Sequence, residues 1–123
     1  MKPTMTTAAF REEQTRTMSE AEFQDTVILL AKGYGWKVAH FRGVRVQRAN
    51  GSTYYQTPVQ ADGAGFPDLV LVRGNRLVFS ELKRENGKPT PAQEDWISAL
   101  DLAQAAVYVW RPRDLDAIHQ VLK

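Results

Sequence analysis

Asp68, Glu81 and Lys83 are the residues in this chain whose types and spacing best suit chemistry. They lie in the stretch GFPDLVLVRGNRLVFSELKRENGK, Gly65 to Lys88, at the ends of two apolar runs that flank Gly74-Asn75. If Gly74 and Asn75 centre a hairpin turn, opposed residue numbers sum to 149, from Arg73 facing Arg76 back to Asp68 facing Glu81. Opposed side chains have Cβ atoms about 4.5–5.5 Å apart, and strand alternation puts Lys83 on the face of Glu81. Two carboxylates and one ammonium therefore gather at one end of the hairpin. Two readings fit this arrangement. In one, Lys83 and nearby arginines neutralise the acids at a solvated rim. In the other, the acids bind a divalent cation. Hard cations take carboxylate oxygens, and Mg²⁺ takes one or two carboxylates with water and phosphate. A lysine beside such a site can orient water and steady the charge of a phosphoryl transition state.

The surrounding sequence supplies elements to hold these residues. SEAEFQDTVILLAKGYGW predicts a helix with Ser19 as N-cap and Glu22 at capping-box spacing. Phe23, Val27, Leu30 and Ala31 form its apolar face, and Gly33 or Gly35 ends it. Trp36–Phe41 reads as a strand. A long stretch from Arg42 to Phe66 follows, and loops of that length are often functional. Within it, VRVQ and TYYQT around ANGS suggest a small hairpin. After the central hairpin, Thr90 caps a second helix, with Pro91 in its first turn, Gln93 completing the box, and Trp96, Ile97 and Leu100 toward the core. Ala105–Trp110 reads as a buried strand, and a short helix starts near Asp114. The order α-β-(long loop)-β-β-α-β-α implies one α/β domain with a central mixed sheet.

Composition bounds the possibilities. A chain of 123 residues suggests one domain, large enough to bury roughly two-thirds of its unfolded surface. The absence of cysteine excludes a disulfide scaffold and cysteine-ligated zinc, and fits a reducing cytosol. No apolar run approaches the roughly 18 residues of a membrane span. Residues 1–18 are polar, lack the apolar core of a signal peptide, and read as a loose arm before a domain over 19–123. The net charge is +2. Its distribution says more than its size: Arg42, Arg45 and Arg48 lie between His40 and Ala61 with no acid among them. That strip is either a solvated loop or a surface that meets phosphates.

Pro67-Asp68, twelve intervening residues and Glu81-Leu82-Lys83 resemble the PD-(D/E)xK nuclease signature. More narrowly, SEAEFQ, GWKVAHF, GAGFPDLVLV, FSELKRENGKPTPAQEDWI and VYVWRP resemble the VRR-NUC family and cover most of Ser19–Pro112. The co-occurrence of GFPDL, ELKRE and the PTPAQ helix start makes the match specific. The long loop and the N-terminal arm match little.

The resemblance implies a restriction-endonuclease-like core, a four-stranded mixed sheet flanked by helices in the order α-β-β-β-α-β, plus a short C-terminal helix. It implies that Asp68 and Glu81 hold Mg²⁺, or Mn²⁺ in its place, with the Leu82 carbonyl as a further ligand and Lys83 as catalytic lysine. It adds a glutamate on the first helix, four residues before a glutamine. Glu20 with Gln24 fits, and Glu22 is the rival, with a capping position of its own. Gln93 matches the glutamine that opens the family's second helix. His40, at the end of the first strand, is a possible accessory. His119 and Ser80 have no chemical partner at a telling spacing, and Tyr54 and Tyr55 either stack on bases or pack inside the loop. Small stand-alone members of the family occur in phages and bacteria. They imply a cytoplasmic DNA endonuclease, homodimeric, cutting Holliday-type junctions. The alternatives are a nuclease for flaps, nicks or single strands, or a non-catalytic DNA-binding module.

Overall fold

The computed structural model describes residues 6–41, 44–56 and 60–123. Its elements are helices α1 (Thr7–Thr17), α2 (Glu20–Gly33), α3 (Pro91–Leu102) and α4 (Leu115–Leu122), with a 3-10 turn at Pro112–Asp114. The strands are β1 (Lys37–His40), β2 (Val44–Gln47), β3 (Thr53–Gln56), β4 (Leu69–Arg73), β5 (Arg76–Leu82) and β6 (Ala106–Trp110). β1, β4, β5 and β6 form one mixed sheet in that order, and β2 with β3 forms a separate ribbon. β1–β4 and β4–β5 are antiparallel, and β5–β6 is parallel. This is the mixed α/β architecture expected of a restriction-endonuclease-like core.

The central hairpin has the register read from the sequence. Leu69 pairs with Ser80, Leu71 with Val78 and Arg73 with Arg76, around a turn in which Gly74 takes a φ of +60°. Alternation then sorts the side chains. Leu69, Leu71, Val78 and Leu82 face a core completed by Phe23, Val27 and Ala31 of α2 and by Ile118 and Leu122 of α4. Asp68, Phe79 and Glu81 belong to the opposite face. Arg73 and Arg76 would repel as a cross-strand pair, but both guanidiniums turn to the C-terminus of α4. Arg73 donates to the carbonyls of Tyr34, Leu122 and Lys123, and Arg76 to that of Val121. Both stack on Trp36 with centroid distances of 4.8 Å. Helix-end carbonyls carry partial negative charge, so each cation is paired and their repulsion is offset.

Three expectations need correction. The sequence predicts a loose arm over residues 1–18, yet Thr7–Thr17 form helix α1, capped by Thr6, whose hydroxyl accepts from the Ala9 N–H at 3.1 Å. The helix contains no buried residue and packs near the 3-10 turn, so it lacks the apolar stripe that announces a helix in sequence. The strand β6 is an edge strand in which only Trp110 is fully buried. Trp96, Ile97 and Leu100 are half-buried, since α3 covers the second face of the sheet and not the main core.

Candidate active site

Asp68 sits immediately before β4, and Glu81 and Leu82 close β5. Asp68 Oδ2 accepts the Leu82 N–H at 2.8 Å, which ties the two strand ends together through a side chain. In a strand the N–H and C=O of one residue point to the same side, so the Leu82 carbonyl also lies on the β4 side. The next amide turns the other way: the Lys83 N–H donates to the Trp110 carbonyl at 3.0 Å. The end of β5 is thus fixed from both flanks.

Glu81 is 1% exposed, and neither of its carboxylate oxygens has a hydrogen-bond partner. Lys83 Nζ lies 3.5 Å from Oε1, close enough for charge attraction but longer than an ordinary N–H···O hydrogen bond. Burial pushes the Glu81 carboxyl up to about 8, Asp68 pushes the same way, and Lys83 offsets only part of the rise. Glu20, at the start of α2, is partly buried, and its carboxyl is also raised. Burial is the largest cause; Lys83 and Arg84 lower it and Asp68 raises it, which places Glu20 in the same electrostatic cluster. Glu22 is exposed, and its backbone N–H donates to the Ser19 cap at 3.1 Å.

A divalent cation fits this donor set. The buried oxygens of Glu81 lack a partner, a costly condition that a hard cation relieves. Among the described residues no three His, Cys, Asp or Glu side chains form a ready-made ligand cluster. The central side-chain donors are the pair Asp68 and Glu81, so a backbone carbonyl and water must complete any coordination.

The remaining expected residues separate. Gln93 is engaged in a capping box: its Oε1 accepts the Thr90 N–H at 2.8 Å, and the Thr90 hydroxyl accepts the Gln93 N–H at 3.3 Å. Gln24 is one helical turn after Glu20 and partly buried. His40 pairs with Leu69 across β1–β4, so alternation assigns it to the face opposite Asp68 and Glu81. His119 Nδ1 is hydrogen-bonded to the Tyr34 hydroxyl at 2.9 Å, beside a groove between α1, α2 and α4. Ser80 is fully buried on the core face. Arg42 and the side chains of Arg45 and Tyr55 lie outside the described residues. Arg48 stacks on Tyr54, with its guanidinium carbon 4.2 Å from the ring centroid.

One feature of the site has no signature in the sequence. The loop before Asp68 is latched to the first turns of α3. The Trp96 indole N–H donates to the Asp62 carbonyl at 2.8 Å, and Phe66 packs edge-on against Trp96, Phe79 and Phe41. Gly65 has a φ of +83°, and a Cβ there would stand 2.5 Å from the Ala92 carbonyl carbon. The glycine and the helix start are both visible in the sequence, but their mutual contact is not. Gly65→Ala is expected to destabilise the protein by roughly 2–4 kcal/mol, from left-handed backbone strain and overpacking. Denaturant melts check this, with Gly33→Ala as control, because a Cβ at Gly33 meets nothing within 4 Å. Equal stability of the two variants would show that the latch is dispensable.

A family model described as the VRR-NUC domain matches residues 12–114. No curated protein and no solved structure matches the chain.

Proposed function

The chain belongs to the VRR-NUC family of PD-(D/E)xK-like nuclease domains, and on that premise we propose that it is a divalent-metal-dependent DNA endonuclease acting through Asp68, Glu81 and Lys83. The observation that carries the reading is the fully buried Glu81 carboxylate, left without hydrogen bonds beside a second acid. A fold gains nothing from that pair alone. Asp68, Glu81 and the Leu82 carbonyl would hold Mg²⁺ or Mn²⁺, with Glu20 reaching it through water. Bound there, the ion supplies Lewis acidity toward the scissile phosphate and the attacking water.

The chain's own groups supply the rest. Lys83 has three N–H donors and is held beside Glu81, where it orients the attacking water and offsets phosphoryl charge. Glu20 adds a partly buried carboxylate that can accept a proton from water. Water attacks phosphorus in line, the P–O3′ bond breaks, and the products are a 3′-hydroxyl and, as the family resemblance implies, a 5′-phosphate. Glu20→Gln is expected to slow cleavage at least about tenfold, the low end of a general acid–base contribution. Glu22→Gln should stay near the wild-type rate, because its cap uses a backbone N–H. Single-turnover rates decide, and the reverse order would transfer the role to Glu22.

The proposed substrate is a branched DNA of the Holliday-junction type, met in the cytoplasm of a bacterial or phage-infected cell. A four-way junction is two-fold symmetric and needs two matched cuts. This chain carries one constellation, so a C₂ homodimer would present two sites in the right symmetry. A cleavage panel of junction, flap, nicked, linear and single-stranded DNA, run with Mg²⁺ and with Mn²⁺, tests the reading. Light scattering with and without junction DNA tests the dimer. A strict monomer that cuts flaps or linear DNA faster than junctions would leave a nuclease and remove the resolvase. Binding without product in either metal would point to a DNA-binding module.

A further inference from the structure

We propose that the β2–β3 ribbon is a duplex-reading arm that enters the major groove beside the cut site, with the stacked Arg48–Tyr54 pair as its contact. The proposal rests on the DNA nuclease reading above and adds how the duplex part of the substrate is held.

The first support is topological. Among the described residues the ribbon forms a sheet of its own, unpaired with the four-stranded sheet. An isolated two-stranded hairpin is marginally stable in water, so it gains from a partner surface. The second support is placement. On one side of the excursion, the Phe41 N–H donates to the Asp68 carbonyl at 3.1 Å. On the other side, Asp62 and Gly65 are latched to α3 just before Asp68. Both anchors of the segment that carries the ribbon are therefore fastened at the candidate active site.

The third support is charge and preorganisation. The stretch between His40 and Ala61 holds three arginines and no acid. The Arg48 guanidinium lies over the Tyr54 ring, and its N–H donors suit a phosphate or guanine O6 and N7. The tip is locked. Asn50 Oδ1 accepts from the Ser52 N–H at 3.0 Å and from its hydroxyl at 2.6 Å, and the Arg48 N–H donates to the Ser52 carbonyl at 2.7 Å. A contact built in advance loses less entropy on binding. The roughly 12 Å major groove admits a two-stranded ribbon.

The test is equilibrium binding in EDTA, so that no cleavage is needed, on a blunt duplex and on a single strand of the same sequence. Arg48→Ala and Tyr54→Ala are each expected to weaken duplex binding about 5- to 10-fold and single-strand binding less than about 2-fold. Arg48→Ala should also flatten the salt dependence by about one in log–log slope. Tyr54→Phe keeps the ring and should bind duplex like wild type. Methyl green, a major-groove ligand, should compete with the protein, and netropsin, a minor-groove ligand, should not. Equal losses on duplex and single strand, no loss on either, or competition by netropsin alone would overturn the proposal. Failure of the nuclease reading shows separately, as no product from wild type on any DNA with Mg²⁺ or Mn²⁺.

Discussion

Asp68→Asn, Glu81→Gln and Lys83→Ala are each expected to reduce single-turnover DNA cleavage at least about 10²-fold, with the far-UV circular dichroism unchanged. The three changes remove different things. Asp68→Asn keeps a side-chain oxygen for the Leu82 N–H, so the tie between β4 and β5 survives while the charge is lost. Glu81→Gln keeps the buried volume and removes a charge whose oxygens had no hydrogen-bond partner. Lys83→Ala leaves both acids and removes the ammonium 3.5 Å from Glu81. Mn²⁺ titration should separate the roles: the two acid variants lose affinity for the ion, and the lysine variant keeps it but still fails to cut. Groups that act as a unit are strongly non-additive, so a double variant should be little slower than the worst single one. Wild-type rates in any of the three would sink the site assignment.

How much of this was legible in the sequence follows from how local each signal is. The β4–β5 register was legible because one turn and strict alternation leave a single pairing that buries Leu69, Leu71 and Val78 together. That register alone set Asp68 against Glu81 at the rim. The preference for Glu20 over Glu22 rests on the family's spacing to Gln24 and on the capping position of Glu22. Glu20 is three residues before the buried Phe23 and Glu22 is one before it, so Glu20 shares the inward face. Helix α1 was illegible because TAAFREEQTRT has no apolar stripe and buries nothing. The exposure of β6 was illegible because AVYVW reads the same in an edge strand as in a central one, and only strand order distinguishes them. The Gly65–Ala92 approach joins segments far apart in sequence, so no local pattern reports it. His40 is the instructive failure of proximity in sequence. It ends the right strand at the right end, and parity alone assigns it to the other face.

Metal-free wild-type protein is expected to lose stability as pH rises from about 5 to 9, and Glu81→Gln to abolish that loss. The sign follows from Glu81. Its carboxyl titrates near 4.5 when unfolded and at about 8 when folded, so between those values the native state binds the extra proton. Stability falls with pH wherever the native state binds more protons than the unfolded chain. Below the lower value both states are protonated and nothing is lost. Above the upper value the full cost of a buried, weakly paired carboxylate is present. The wild-type Tm is therefore expected to fall by at least several degrees between pH 5 and pH 9, and that of Glu81→Gln to stay flat. The difference between wild type and Glu81→Gln isolates this contribution from that of every other group. Mn²⁺ or Mg²⁺ should restore the lost stability at pH 9 more than at pH 5, because at low pH the ion must displace a proton. Calorimetry in EDTA and in excess Mn²⁺, at both pH values, reads all of this at once. A wild-type Tm that tracks the variant across the range, with no gain from metal at pH 9, would mean that Lys83 already neutralises Glu81. The strongest structural reason for a cation at this site would then be gone.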